Sequence, residues 1–273
     1  MNMTVIKLVA RKELISLFKS YWFVFVAFLF FILNEGLLQF GIYFSGSSGH
    51  INPRAVMLSL IHLEMYLMPL LAFILSYDGM LKERELGTLD LLLSYPLVSA
   101  DLVLGKWIGF TLMLSFSFLL GFVAPAIHLW ILGFPLSDLI VFSINAIGLG
   151  VAFISMGLLI STISKDRTIV IAMCIILWVF YIFFFDLGFV GLAILSNGET
   201  TENAISWVLL LNPADVFRLV AISSLLSNDA SVFFGIGNGA LQLPYGIFVM
   251  LLWIGLPLRL AMNKNFLLSR GVS

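Results

Sequence analysis

The chain has 273 residues, of which 61% are hydrophobic and 11% charged, with a net charge of −1 and a mean hydropathy of +1.11. Soluble domains carry about 25% charged and about 45–50% apolar residues, so one soluble core of this size cannot bury the excess and lipid must solvate much of the surface. No basic face points to nucleic acid, and a single Cys174 excludes an intrachain disulfide.

Residues 3–19, MTVIKLVARKELISLFK, place Val5, Leu8, Val9, Leu14, Ile15, Leu17 and Phe18 largely on one helical face and Lys7, Arg11, Lys12 and Glu13 on the other. This predicts a helix lying in the membrane interface, which turns at Ser20, Tyr21 and Trp22 into the first span. The alternative is a basic flank that only sets topology. A bilayer span takes roughly 20 mostly apolar residues. Six segments qualify, at about 21–40, 57–77, 106–132, 139–163, 168–195 and 242–262. In lipid every backbone polar group needs an internal partner, so these segments are expected to be helices, and runs such as VFVAFLFFIL do not alternate as barrel strands do. The first run begins late and is too long for a signal peptide. The expected fold class is therefore an all-α membrane protein with six transmembrane helices.

Six spans put both termini on one side. That side then carries Lys7, Arg11, Lys12, Lys19, Lys82, Arg84, Lys106, Lys165, Arg167, Arg259, Lys264 and Arg270, against Arg54 and Arg218 opposite: twelve and two of the fourteen basic residues. The positive-inside rule makes the first side cytoplasmic. Outside, a Gly/Ser-rich loop occupies 45–54 and a GFPLSD turn joins spans three and four. Inside, Ser164 to Arg167 is short enough to make spans four and five antiparallel neighbours. The largest outer segment, about 196–241, contains Asn212-Pro213, a turn into a helix with Pro213 at its first position and Asp215 in its first turn. That helix either caps the bundle or carries an outer partner.

The longest charged interruption on the cytoplasmic side is KERELGTLDLLLSYPLVSADLVLGK, residues 82–106. Lys82, Glu83, Arg84 and Glu85 extend the second span to Gly87. Thr88 and Asp90 suit a helix cap, Leu89, Leu91, Leu92 and Leu93 give an apolar face, and Tyr95-Pro96 ends the helix. Ser99 suits the cap of the next helix. The segment reads as a short docking helix or as a loop folded back on the headgroups. Gly105-Lys106-Trp107 lacks the upstream glycine of a phosphate-binding loop, and Gly235, Gly237 and Gly239-Ala240 match a dinucleotide pattern only loosely and outside any βαβ unit. His62, Met65 and Met68, with Met57 and Glu64 nearby, are either core-filling residues or soft-metal ligands. Glu35, Glu64 and Asp186 are expected in the outer half of their spans, facing the bundle, a wet cavity or the interface. Ala146 with Gly150 and Gly148 with Ala152 allow close helix packing, within one subunit or at a dimer seam.

The 82–106 loop resembles the signature of ABC-2-type transporter permeases, roughly E-x-x-G-T-L-x-x-L-L-x-x-P followed by a polar stretch and G-K. The matching residues are Glu85, Gly87, Thr88, Leu89, Leu92, Leu93, Pro96, Gly105 and Lys106, with the acid one place nearer the glycine. ARKEL at 10–14 resembles the family's elbow helix, so the resemblance covers the whole chain, 1–273, as a single transmembrane domain. It divides into an elbow at 1–20, a coupling loop at 78–105 and an outer segment at 196–241. ERELGTLDLLLSYPL (83–97), GLLISTISKDRT (157–168) and LNPADVFRL (211–219) are similar to the branch that serves copper-site maturation of nitrous oxide reductase.

The resemblance implies a homodimer in the inner membrane, a cytoplasmic ABC ATPase that binds ATP and magnesium, and a periplasmic β-helical protein on the outer face. It implies no catalytic residue, metal site or cofactor in this chain. ATPase coupling is expected of Glu83, Glu85, Gly87, Asp90, Leu92, Leu93, Pro96 and Lys106, and outer contact of Asp215 and Arg218. Competing readings are export of a small substrate, such as a sulfur species, and a structural or receptor-like membrane protein.

Overall fold

A computed structural model describes residues 2–46, 53–87, 98–164, 166–185, 187, 208–225 and 243–263. Among these residues all regular structure is helical. The elements are α1 (Met3–Lys19), α2 (Tyr21–Gly46), α3 (Pro53–Ser76), α4 (Leu81–Glu85), α5 (Ser99–Ile131), α6 (Leu136–Ile163), α7 (Arg167–Val179), α8 (Pro213–Leu225) and α9 (Leu243–Ala261), with a π-helical turn, Phe180–Phe184, continuing α7. Five stretches are long and apolar enough to cross a bilayer: Tyr21–Tyr43, Ala55–Glu85, Ser99–Ile131, Leu136–Ile163 and Arg167–Phe184. The sixth expected span coincides with α9, whose apolar stretch Tyr245–Ala261 is shorter.

Two long helices organise the bundle. α1 and α2 pack along α5, while α3 and α9 pack along α6, and α8 lies against α3, α6 and α9. At about 1.5 Å per residue the 33 residues of α5 run about 50 Å, well beyond a hydrocarbon core of about 30 Å. The helix starts seven residues before the apolar run expected at 106, and α1 packs on this extension. Ser99 does not cap it: the helix begins at Ser99, with Val98 in the cap position and no side-chain cap bond. Instead Asp101, in the first turn, accepts the Asn2 backbone N–H through both carboxylate oxygens at 3.2 Å.

Glycines on α5 set how closely its neighbours approach. A Cβ at Gly105 would stand 2.6 Å from Val9 Cβ, one at Gly109 2.8 Å from Glu13 Cβ, and one at Gly121 2.5 Å from Phe30 Cβ. The first two, one turn apart, form the trough that receives α1. On α6, Gly150 meets Leu114 and Met68 and Gly148 meets Met250, so the small residues of that span serve packing inside the chain. A row of aromatic contacts then crosses the core: Phe30 to Phe118 at 5.3 Å, Phe118 to Phe122 at 5.3 Å, Phe122 to Phe142 at 5.2 Å and Phe142 to Phe217 at 6.2 Å. It links α2, α5, α6 and α8, and each such pair adds about 0.5–1.5 kcal/mol beyond area burial.

α7 departs from this compact arrangement. It follows α6 through a short turn, as expected, yet touches it sparsely and leaves Ile169, Ile175, Ile176, Phe183 and Phe184 exposed. Much of α2 is likewise apolar and open.

The trough predicts an asymmetry between two glycine substitutions of equal helix propensity. Gly105→Ala should destabilise by about 1–3 kcal/mol, the usual cost of overpacking, whereas Gly255→Ala, with nothing within 4 Å of the new Cβ, should be neutral or stabilising. Thermal unfolding in detergent distinguishes them.

Candidate functional site

Among the described residues, Lys12, Lys82, Arg84, Lys106 and Arg167 gather at one end of the bundle, where the first turns of α5 meet α1, α4 and the tail of α6. At the centre of this basic end is Lys106, directly after the glycine that admits α1. Its side chain is 3% exposed. Nζ lies 3.3 Å from Glu13 Oε1 of α1 and donates to Glu83 Oε1 of α4. One ammonium therefore joins three elements that are distant in sequence. The Gly105-Lys106 pair has two separable tasks: the glycine removes the steric bar to α1, and the lysine locks α1 and α4 to α5.

Arg84, next along α4, turns the opposite way. Its Nη1 donates to Ser164 O at 2.7 Å and to Ser161 O at 3.4 Å, and its Nη2 donates to Thr162 O at 2.7 Å. The last carbonyls of α6 have no intrahelical partner and carry the negative end of the helix dipole, so a guanidinium satisfies both needs. Arg167, at the head of α7, lies 3.3 Å from Asp78 Oδ2 and 3.8 Å from Glu85 Oε2, and its guanidinium stands 5.7 Å from the Tyr77 ring centre. Asp166 caps α7 by accepting the Thr168 and Ile169 N–H groups. Through Glu83, Arg84 and Glu85, the five residues of α4 thus touch α5, α6 and α7. Gly87 ends this helix with φ 64°, a left-handed conformation that favours glycine.

Four of the eight residues expected to couple to an ATPase are therefore located here. Glu83 and Lys106 pair with each other, Glu85 faces Arg167, and Gly87 terminates α4. Asp90, Leu92, Leu93 and Pro96 lie outside the described residues. Glu13, Arg84 and Asp101 were not singled out from the sequence. A hint for Glu13 was the Gly105/Gly109 spacing beside a lysine, which marks a helix-docking trough; nothing comparable pointed to Arg84.

At the other end, the Asn212–Arg218 segment is an internal bracket. Asn212 Oδ1 accepts the Ala214 N–H at 3.0 Å, opening α8. Its amide nitrogen donates to Asp215 Oδ2 and to Tyr181 O, both at 2.8 Å. Tyr181 sits in the π-helical turn, where the widened ring makes backbone carbonyls available. Asp215 is fully buried and Arg218 reaches its Oδ1 at 2.5 Å. Asn145 of α6 donates to Phe217 O at 2.8 Å. Asp215 is thus bonded within the chain, where it holds α8 in place.

The intramembrane acids are also engaged internally. Glu64 is fully buried, and Asn34 Nδ2 donates to its Oε1 at 2.8 Å. Glu35 Oε1 lies 2.8 Å from His128 Nδ1 and accepts from Gln39 at 2.7 Å. Asp186 lies outside the described residues. His62 is exposed, with Nδ1 2.8 Å from Leu58 O, whereas Met57, Met65 and Met68 are buried in the core. The histidine and the methionines do not share a face, and no group of three or more His, Cys, Asp or Glu among the described residues is placed to hold a metal.

The sequence of the chain is similar to known proteins. The family described as ABC-2 family transporter protein matches residues 8–270. The chain is 33% identical over 269 residues to the probable ABC transporter permease protein NosY of Pseudomonas aeruginosa, covering 95% of this chain and 97% of that protein. It is 34% identical over 263 residues to the probable ABC transporter permease protein NosY of Stutzerimonas stutzeri, covering 93% and 95% respectively.

Removing one member of a buried ion cluster strands the others. Lys106→Met should cost about 3–5 kcal/mol and expose the 3–19 helix to protease, while the triple variant Lys106→Met, Glu13→Gln, Glu83→Gln should regain most of that loss. Limited proteolysis and thermal unfolding in detergent read both effects.

Proposed function

Because the chain belongs to the ABC-2 family of transporter permeases and is a NosY-like, multi-pass membrane subunit of an ABC transporter, we propose that it relays the motion of a cytoplasmic ATPase to periplasmic events in copper-site assembly of nitrous oxide reductase. In this reading α9 is the sixth span, both termini are cytoplasmic, and the basic end faces the cytosol of the inner membrane. α1 is the elbow lying in the interface. Two copies form the core, each receiving a NosF-like ATPase that binds ATP and magnesium, and a NosD-like β-helical protein sits on the outer face. ATP hydrolysis belongs to the partner, and this chain performs no chemistry.

The observation that supports the reading best is the Lys106 cluster. A force applied to the 86–100 segment enters at α4, and α4 is tied by Glu83 to α5, by Arg84 to α6 and through Glu85 to α7. Glu83, Glu85, Gly87 and Lys106 then serve coupling by keeping α4 rigid. Asp90, Leu92, Leu93 and Pro96 are the residues on which the ATPase presses. At the outer end Asp215 and Arg218 orient α8 and, through Arg218, contribute to the outer partner contact. Nucleotide biases such an element only through its differential affinity for the two states.

Leu92→Asp should abolish co-purification of the ATPase and copper loading of the reductase while membrane insertion survives. Normal assembly and loading by that variant would refute the proposal. Vesicles containing the full complex that export a small sulfur compound on ATP addition would replace the relay with translocation.

A further inference from the structure

Beside the Lys106 cluster, α1, the head of α2 and the inner end of α3 enclose a half-open cavity of about 530 Å³. Its wall carries six charged side chains, three lysines and three acids. Lys106 is taken by Glu13 and Glu83, and Asp78 by Arg167. The remaining oxygen of Asp78, Oδ1, is sealed from solvent. What is left is Lys12 of α1 and Lys82 of α4, both exposed, with no carboxylate within 4.0 Å of either ammonium among the described residues. The same wall presents the Ser16 hydroxyl, and Trp22 and Ile74 join it to the open apolar face of the spans.

Two ammonium groups without a salt bridge among the described residues, beside an apolar wall at the level where spans end, match a phospholipid: a phosphodiester with acyl chains leading away into the bilayer. The volume falls in the range of about 300–1,000 Å³ typical of small-molecule sites. We propose that this cavity binds the headgroup of one anionic glycerophospholipid, of the phosphatidylglycerol class, with its phosphate between Lys12 and Lys82 and its chains passing over Ile74 and Trp22. The anionic headgroup is chosen for Lys12 and Lys82, which have no salt-bridge partner among the described residues, whereas Glu13 and Glu83 share Lys106 and Asp78 faces Arg167. The bound lipid would bridge α1 to α4 across the mouth of the cavity, a second link parallel to the buried lysine. Juxtamembrane lysines attract anionic lipid in general; here two of them are held on one built cavity.

The test is titration of the purified, detergent-solubilised full-length chain with a fluorescent phosphatidylglycerol. The site predicts one saturable component per chain, displaced by unlabelled phosphatidylglycerol but at least tenfold less well by phosphatidylethanolamine, and not by glycerol phosphate in solution. Lys12→Glu with Lys82→Glu should weaken binding at least tenfold. Should that variant misfold, Lys12→Gln with Lys82→Gln and the cavity-filling Ile74→Trp, each checked for monodispersity, should each weaken it measurably. Binding within twofold of the parent in these variants would overturn the proposal, as would equal competition by phosphatidylethanolamine. Loss of ATPase co-purification with lipid affinity unchanged would also overturn it, assigning the lysines to a protein contact instead.

Discussion

A single buried ammonium fixes the architecture of the basic end. Taking a charge out of water costs several kcal/mol unless partners compensate, and Lys106 finds its compensation only where Glu13 of α1 and Glu83 of α4 converge on α5. The cluster is therefore a poor source of stability but a strong source of specificity. Any slip of α1 along its trough strands a charge. Gly105 and Gly109 supply the room, and Lys106 chooses one register among those the trough allows. Asn2 and Asp101 hold the other end of the same contact, so α1 is pinned at both its start and its middle.

From that joint two continuous paths lead toward the opposite end. α5 carries the joint at one extremity and the aromatic row Phe118–Phe122 further along, which reaches α8 through Phe142 and Phe217. α6 is gripped at its tail by Arg84 and bonds to α8 near its head through Asn145. α8 is in turn bracketed to the π-helical turn after α7 by Asn212. Together these ties run without a gap from the basic end to α8. This suits a subunit whose proposed task is to transmit displacement. The open apolar faces of α2 and α7 are consistent with surfaces that meet lipid or another subunit.

Much of the fold was legible because hydropathy and length dominate in lipid. The first five spans follow from apolar runs alone, and α1 from its amphipathic face. Less was legible where polar groups find partners across long sequence separations. Lys106 stood out, yet its pairing with Glu13 and Glu83 depends on a helix crossing that no local pattern encodes. Arg84 looked like one member of an alternating charged run; its three carbonyl partners belong to a helix end some eighty residues away. Asp215 and Arg218 were expected at the outer surface because their i,i+3 spacing is equally that of an exposed face and of an internal pair; the fold buries Asp215 and leaves Arg218 partly exposed. His62, Met65 and Met68 shared a plausible sector at helical spacing, and packing divided it into one exposed residue and two core residues.

The central claim is that α1, α4 and the head of α5 move as one piece. Spin labels at Lys7 and Leu86, both on exposed surface, measure the α1–α4 separation, and a second pair at Lys7 and Tyr245 spans the long axis of the bundle. Pulsed dipolar spectroscopy on the complex with its ATPase, with and without a non-hydrolysable nucleotide, should leave the first distance distribution unchanged while the second shifts. A nucleotide-dependent change in the Lys7–Leu86 distribution would contradict the account, because α1 and α4 would then be separate moving parts rather than one joint closed on Lys106.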